Sequence, residues 1–149
     1  MMQQLFSNHI LMAAFVAWLL AGLVKVPIEY WETRQWNWAL WFSSGGMPSQ
    51  HSALVTSAML AVGLYNGFNT PAFAVAFTLM IVVLYDAAGV RRQAGLHAQK
   101  INQIFNEFFE GHPISEDQLK EVLGHTPREV IAGAGFGLVI TIIFWLIFH

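Results

Sequence analysis

The sequence predicts an all-α integral membrane bundle of about four transmembrane helices plus one amphipathic interfacial helix, and three observations carry that expectation. The 149-residue chain is 56% hydrophobic and only 11% charged, whereas soluble domains carry roughly 25% charged residues. Its mean hydropathy is +0.50. No charge falls in residues 1–24, 35–85 or 130–149. About 20 apolar residues cross hydrocarbon as a helix, so these three blocks have room for four spans. A soluble multidomain protein is excluded. The lack of cysteine excludes disulfides, thiolate catalysis and cysteine-ligated zinc or iron–sulfur centres. No basic run points to nucleic acid.

The whole chain, 1–149, reads as one membrane domain. The first span is expected over about 7–24, from Ser7 to Val24, ending where Lys25-Val26-Pro27 brings the first charge and a helix breaker. The leading Met-Met-Gln-Gln lacks the positive region of a secretory signal, so this span is expected to stay in the protein. Trp36, Trp38 and Trp41 then read as interfacial aromatics holding a loop at headgroup depth.

The long uncharged block is cut at Asn66-Gly67-Phe68-Asn69-Thr70-Pro71, a turn signal. This makes a helical hairpin with arms over about 48–66 and 71–86. The first arm is expected to open at Pro48, just after Ser43-Ser44-Gly45-Gly46, because proline suits the first helical position. A fourth span, about 127–148, closes the chain. Between the last two spans lies a polar insert, 87–126. Its Val90, Ala94, Ala98, Ile101, Phe105 and Phe108 recur at helical spacing, while Gln99, Asn102, Asn106 and Glu110 face elsewhere. That pattern predicts an amphipathic helix at the interface or capping the bundle. Gly111-His112-Pro113 ends it, and Ser115 caps a short segment with Glu116 and Asp117 in its first turn.

Four spans with short turns alternate in direction, so the loop after the first span and the insert before the fourth share one side. All seven Lys and Arg residues lie there. By the positive-inside rule that face is cytoplasmic and both termini lie outside.

Three segments on that face carry chemistry. Gly45-Gly46-Met47-Pro48-Ser49-Gln50-His51-Ser52 places Ser49 and His51 at a helix start, where unpaired N–H groups attract anions; the plainer reading is a glycine-rich turn with a structural histidine. Gly124-His125-Thr126-Pro127-Arg128-Glu129 opens the last span in the same way. There Thr126 and Glu129 form a Thr-x-x-Glu capping box, which accounts for Glu129 but leaves His125 unexplained. Two histidines at two helix starts, with few carboxylates and no cysteine, suit an anion better than a metal. The third segment is Asp86 followed by Gly89-Val90-Arg91-Arg92. Its arginines are either positive-inside flanking or forks for phosphoryl oxygens, with Lys25 and Arg34 adding charge on the same face. Asp86 is a partner for them or part of the site.

Pro48-Ser49-Gln50-His51 resembles the Pro-Ser-Gly-His signature of the type 2 phosphatidic acid phosphatases, whose superfamily also holds the vanadium haloperoxidases; Gln50 stands in place of its glycine. The superfamily's last motif is Ser-Arg, five residues, His, three residues, Asp. A compact placement on Arg91 and His97 puts Ile101 at the Asp position and Val90 at the Ser. His97 also falls in the middle of the amphipathic helix's apolar face, where a lone histidine is expected to pack. A split placement takes Arg91 or Arg92, then His125 and Glu129, followed by Val130-Ile131-Ala132-Gly133. It fits better, with about thirty residues inserted. The combined motifs resemble the divergent branch of small bacterial membrane proteins over nearly the whole chain. The remaining motif, Lys, six residues, Arg-Pro, is met loosely by Lys25, Arg34 and Gln35.

The resemblance implies a PAP2-like core and a metal-independent, cofactor-free phosphatase acting on a lipid phosphate or pyrophosphate in the bacterial plasma membrane. It implies His125 as nucleophile, Glu129 as its orienting acid and His51 as the proton donor to the departing oxygen. Arg91, Arg92, Lys25, Arg34 and Ser49 would hold phosphate, with Asp86 and His97 as further candidates. Membrane lipids and a second copy of the chain are the expected partners. The alternatives are a phosphate-headgroup binder or lipid-handling subunit without catalysis, and a bundle in which Gly133 and Gly137 merely permit packing.

Overall fold

The computed structural model describes residues 2–42, 46–108 and 125–149. Among them every regular element is helical. A short α1 (Met2–Phe6) leads into α2 (His9–Thr33), capped by Asn8, whose side chain accepts from the Leu11 N–H at 3.1 Å. A 3-10 turn (Trp38–Phe42) precedes α3 (Gln50–Asn66). After the hairpin come α4 (Pro71–Tyr85), a π segment (Asp86–Val90) and α5 (Arg91–Phe108) without a break, and then α6 (Pro127–Phe148). Three stretches are long and apolar enough to cross a membrane: His9–Trp31, Pro71–Ile104 and Pro127–Phe148. The chain is an all-α membrane bundle.

The centre of the bundle is α3, a 17-residue helix packed against α2, α4 and α6. It buries Ser52, Ala53, Thr56, Ser57, Ala61 and Gly63 and so presents small residues to its neighbours. Its tightest partner is α6. Gly133 lies against the Ser49 backbone and Gly137 against that of Ala53, each so close that a Cβ would collide with the facing carbonyl oxygen. One turn further, Thr141 Oγ1 donates to Ser57 Oγ at 2.6 Å. The contacts Ser49–Gly133, Ala53–Gly137 and Ser57–Thr141 advance together in fours, so the two helices run parallel. Without a hydrophobic force between helices in lipid, close backbone approach of this kind is what holds them. The paired glycines are thus a contact motif inside one chain. α2 runs the opposite way, with His9 stacked on Tyr65 at the far end of α3 (ring centroids 5.5 Å apart) and Lys25 beside Gln50 at its near end.

Three local expectations are corrected. The first helix does not end at Val24: it continues through Pro27 to Thr33. Proline removes one helical hydrogen bond, but Lys25 and Val26 just before it are buried, and packing carries the helix past it. Pro48 is not the first residue of α3. Ser49 is the cap, accepting from the Ser52 N–H at 3.4 Å, so the proline precedes it. The third concerns His97, expected to pack within the apolar face of α5. Gly95 and Asn102 are buried, whereas Val90 (60% exposed), His97 and Ile104 (53%) face outward. Packing of His97 is therefore overturned, because α5 turns its small and polar side to the protein and leaves its apolar side for lipid. Gly111-His112-Pro113, Ser115, Glu116 and Asp117, like Ser43, Ser44 and Gly45, lie outside the described residues.

Other local readings hold. Thr70 caps α4, with Pro71 in its first turn, and Gly67 at the hairpin takes φ 101°, a conformation side chains disfavour. Trp36 stacks between Tyr30 and Trp38, at 4.4 and 6.0 Å, and both tryptophans are exposed.

Candidate functional site

The helix starts of α3 and α6 are joined directly: the Ser49 N–H donates to the Glu129 carbonyl at 3.1 Å. His125, Thr126 and Glu129 gather at that junction. At α6 both arms of the capping box are present, the Glu129 N–H reaching Thr126 Oγ1 at 3.4 Å and the Thr126 N–H reaching Glu129 Oε2 at 3.3 Å. The same Oε2 lies 2.9 Å from His125 Nδ1. With Nδ1–H donating to the carboxylate, the ring is fixed in the tautomer whose Nε2 keeps its lone pair. His125 is 1% exposed. Burial holds its pKa below the ordinary imidazole value; Glu129 opposes that shift, and Lys25 and His51 add to it.

Two hollows flank this pair. One, about 290 Å³, is lined by His51, Val82, Val83, Asp86, Ala87 and His125. The start of α3, the α4–π junction and the residue before α6 thus meet in one space. A π turn adds a residue to the helical ladder and commonly marks functional positions; here it begins at Asp86. The second hollow, about 370 Å³, lies where Lys25 and Glu29 of α2 meet Thr126, Arg128 and Glu129, with apolar Ile28, Leu40 and Met47 also on its wall.

The structure therefore brings His51, His125 and Asp86 to one cavity, with Glu129 behind His125. Lys25 is placed with Glu129 in the other hollow. Ser49 is completely buried, its Oγ accepting from Ser52 Oγ at 2.9 Å, so it caps and packs. Arg34 is an exposed C-cap residue with φ 58°, its N–H on the Tyr30 carbonyl, about two and a half turns of helix beyond Lys25. Arg92 is half-buried in the first turn of α5, next to Arg91. His97 is exposed about one and a half turns on.

Sequence reasoning missed the partners of Gln50. This side chain is 5% exposed and accepts from Lys25 Nζ at 3.3 Å, while its amide nitrogen presses on Gly22 of α2. A signal was present: Gln50 departs from the expected glycine, and the one glycine of α2 lies three residues before Lys25.

The family model of the divergent PAP2 family matches residues 6–140. The "Uncharacterized membrane protein YuiD" of Bacillus subtilis (strain 168) is 36% identical over 151 residues, which cover 94% of this chain and 96% of that one. No solved structure matches the chain.

Proposed function

The chain belongs to the divergent PAP2 family, and on that premise we propose that it is a membrane-embedded phosphatase which hydrolyses a lipid phosphate or pyrophosphate through a phosphohistidine, without a metal. One observation carries the reading: a buried His125, held at Nδ1 by Glu129, shares a cavity with His51.

In this scheme the Nε2 lone pair of His125 attacks phosphorus, and the bond from phosphorus to the lipid oxygen breaks. His51 gives that oxygen a proton. Water then attacks phosphorus, the phosphorus–nitrogen bond breaks, inorganic phosphate leaves, and the water proton returns to His51. Such transfers ask a protein mainly to position the phosphoryl group and to balance charge on its equatorial oxygens. Arg91 and Arg92, at the turn after Asp86, and the N-terminal end of α3 are the groups proposed to do so. Val82 and Val83 of α4, with Ala87 of the π segment, give the cavity an apolar wall, and α4 is a helix that buries no residue and is left to the lipid. A substrate with an acyl or prenyl tail fits such a wall better than a sugar phosphate. By the positive-inside rule the site opens to the cytoplasm.

The test is release of inorganic phosphate by purified protein in liposomes offered lipid monophosphates and pyrophosphates. Vanadate, which copies the trigonal bipyramid of the transfer, is expected to inhibit and EDTA to have no effect. Binding of lipid phosphate with no release from any of them would leave a headgroup-binding protein. Activity lost on EDTA treatment and restored by a divalent ion would remove the phosphohistidine route.

A further inference from the structure

We propose that Lys25, held by Gln50, serves Glu129 instead of the phosphoryl group, so that Lys25 and Gln50 are positioning residues for His125. The kinetic half of this inference rests on the phosphatase reading; its geometric half does not.

The placement of the two ring nitrogens is the first argument. His125 Nδ1 faces Glu129, so Nε2, on the opposite edge of the imidazole, faces away from it. The hollow that Lys25 lines contains Glu129 and not His125, whereas the cavity shared by His125 and His51 has no Lys25 on its described wall. Lys25 is thus on the carboxylate's side of the pair. It is 2% exposed, and an ammonium so far out of water needs compensating partners. The Gln50 carbonyl supplies one hydrogen bond. Glu129 is the carboxylate whose charge acts on it.

Gln50 is itself fixed from two sides. Its oxygen takes Lys25 Nζ, and its nitrogen occupies the space that Gly22 leaves by having no side chain; a Cβ there would collide with it. The glutamine that replaces the glycine of the Pro-Ser-Gly-His signature therefore spans from the start of α3 to α2 and sets the height of the ammonium. A carboxylate with a cation on one flank and an imidazole N–H on the other is held in place as an acceptor. That locks the His125 tautomer and keeps Nε2 available.

Among the described residues, the charged and titratable groups around His125 are Glu129 on its own segment, Lys25 from α2, His51 from α3 and Asp86 from the π segment, with Arg128 on the wall of the Glu129 hollow. Among these, Lys25 disfavours the imidazolium. Removing its charge must raise the pH at which His125 protonates.

The experiment follows the His125 ring by NMR in the full chain, with labelled histidine, in detergent micelles. It compares wild type with Lys25→Met and Gln50→Glu and assigns the signal with His125→Gln. Lys25→Met is expected to move the titration of His125 up, and the acid limb of kcat/KM with it, while the affinity for inorganic vanadate changes less than about threefold. Gln50→Glu keeps the side-chain length against Gly22 but pairs the ammonium, so it moves the titration the same way. This second variant decides the matter if Lys25→Met does not fold. A titration that stays in place while vanadate affinity falls tenfold would overturn the proposal and make Lys25 a phosphate ligand. An unmoved titration with unchanged affinity overturns it as well. If wild type releases no phosphate, the phosphatase reading fails alone, and the NMR arm still decides this one.

Discussion

His125 and Glu129 are tied by a 2.9 Å contact from Nδ1 to Oε2, and that same carboxylate oxygen closes the cap of α6 on the Thr126 N–H. One side chain therefore ends a helix and orients an imidazole. The two roles separate on substitution, because capping needs an acceptor of the right length and orientation needs a charge.

Glu129→Gln is expected to keep the cap, which Gln closes about as well as Glu, and to leave thermal stability in detergent nearly unchanged. Hydrolysis should still fall roughly a hundredfold or more, since a neutral amide no longer stabilises the imidazolium-like ring or enforces its tautomer. A variant with wild-type phosphate release would reduce Glu129 to a cap.

The leaving group distinguishes the role of His51. His51→Ala should slow release of a lipid alkoxide far more than that of an activated aryl ester, which departs without a proton. Equal losses on the two substrates would count against a proton donor in the His51–His125 cavity.

Stability should depend on pH through His125. Its folded pKa lies below the ordinary imidazole value, chiefly through burial, so the unfolded chain binds the proton more readily. The stabilisation is complete above the unfolded value of about 6.5 and is lost as pH falls from there through the folded pKa. The midpoint of thermal unfolding in detergent should drop across that window. His125→Gln should flatten the drop, and an equal drop in that variant would assign it to other groups.

Shape should outweigh hydrogen bonding between α3 and α6. Gly137→Leu forces the Ala53 backbone away and is expected to cost about 1–3 kcal/mol or to prevent assembly. Thr141→Val loses the interhelical bond to Ser57, worth about 0.6 kcal/mol on average between membrane helices, and the hydroxyl's contact with the Gly137 carbonyl inside α6. Unfolding in a denaturing detergent series measures both, and the reverse order would mean that the glycine contact is slack.

Some of this was written in the chain. The boundaries of α4 and α6 follow from Thr70-Pro71 and Thr126-Pro127, because capping and proline geometry are local and need no distant partner. Charge-free blocks fixed the membrane class, since the cost of burying charge in hydrocarbon depends on composition alone. The two histidine-bearing helix starts were legible for the same reason: each is a short segment whose residues act on their own backbone.

What the chain did not disclose are the relationships between segments. Pro27 reads as a stop, yet the burial of Lys25 and Val26 against neighbouring helices carries α2 beyond it. The periodicity of α5 locates an apolar face but not its direction, and in lipid the apolar side faces out while Gly95 and Asn102 pack inward. Above all, Lys25, Arg34, Arg91 and Arg92, on one membrane face, were all assigned to the same phosphate. Only the parallel packing of α3 on α6, with α2 antiparallel beside them, decided that Lys25 meets Gln50 and Glu129 while His51 and Asp86 meet His125. Sequence specifies which groups a helix carries and where it starts; which neighbour each group faces depends on the rotation and register of whole helices, which are set by close contacts such as Ser49 on Gly133.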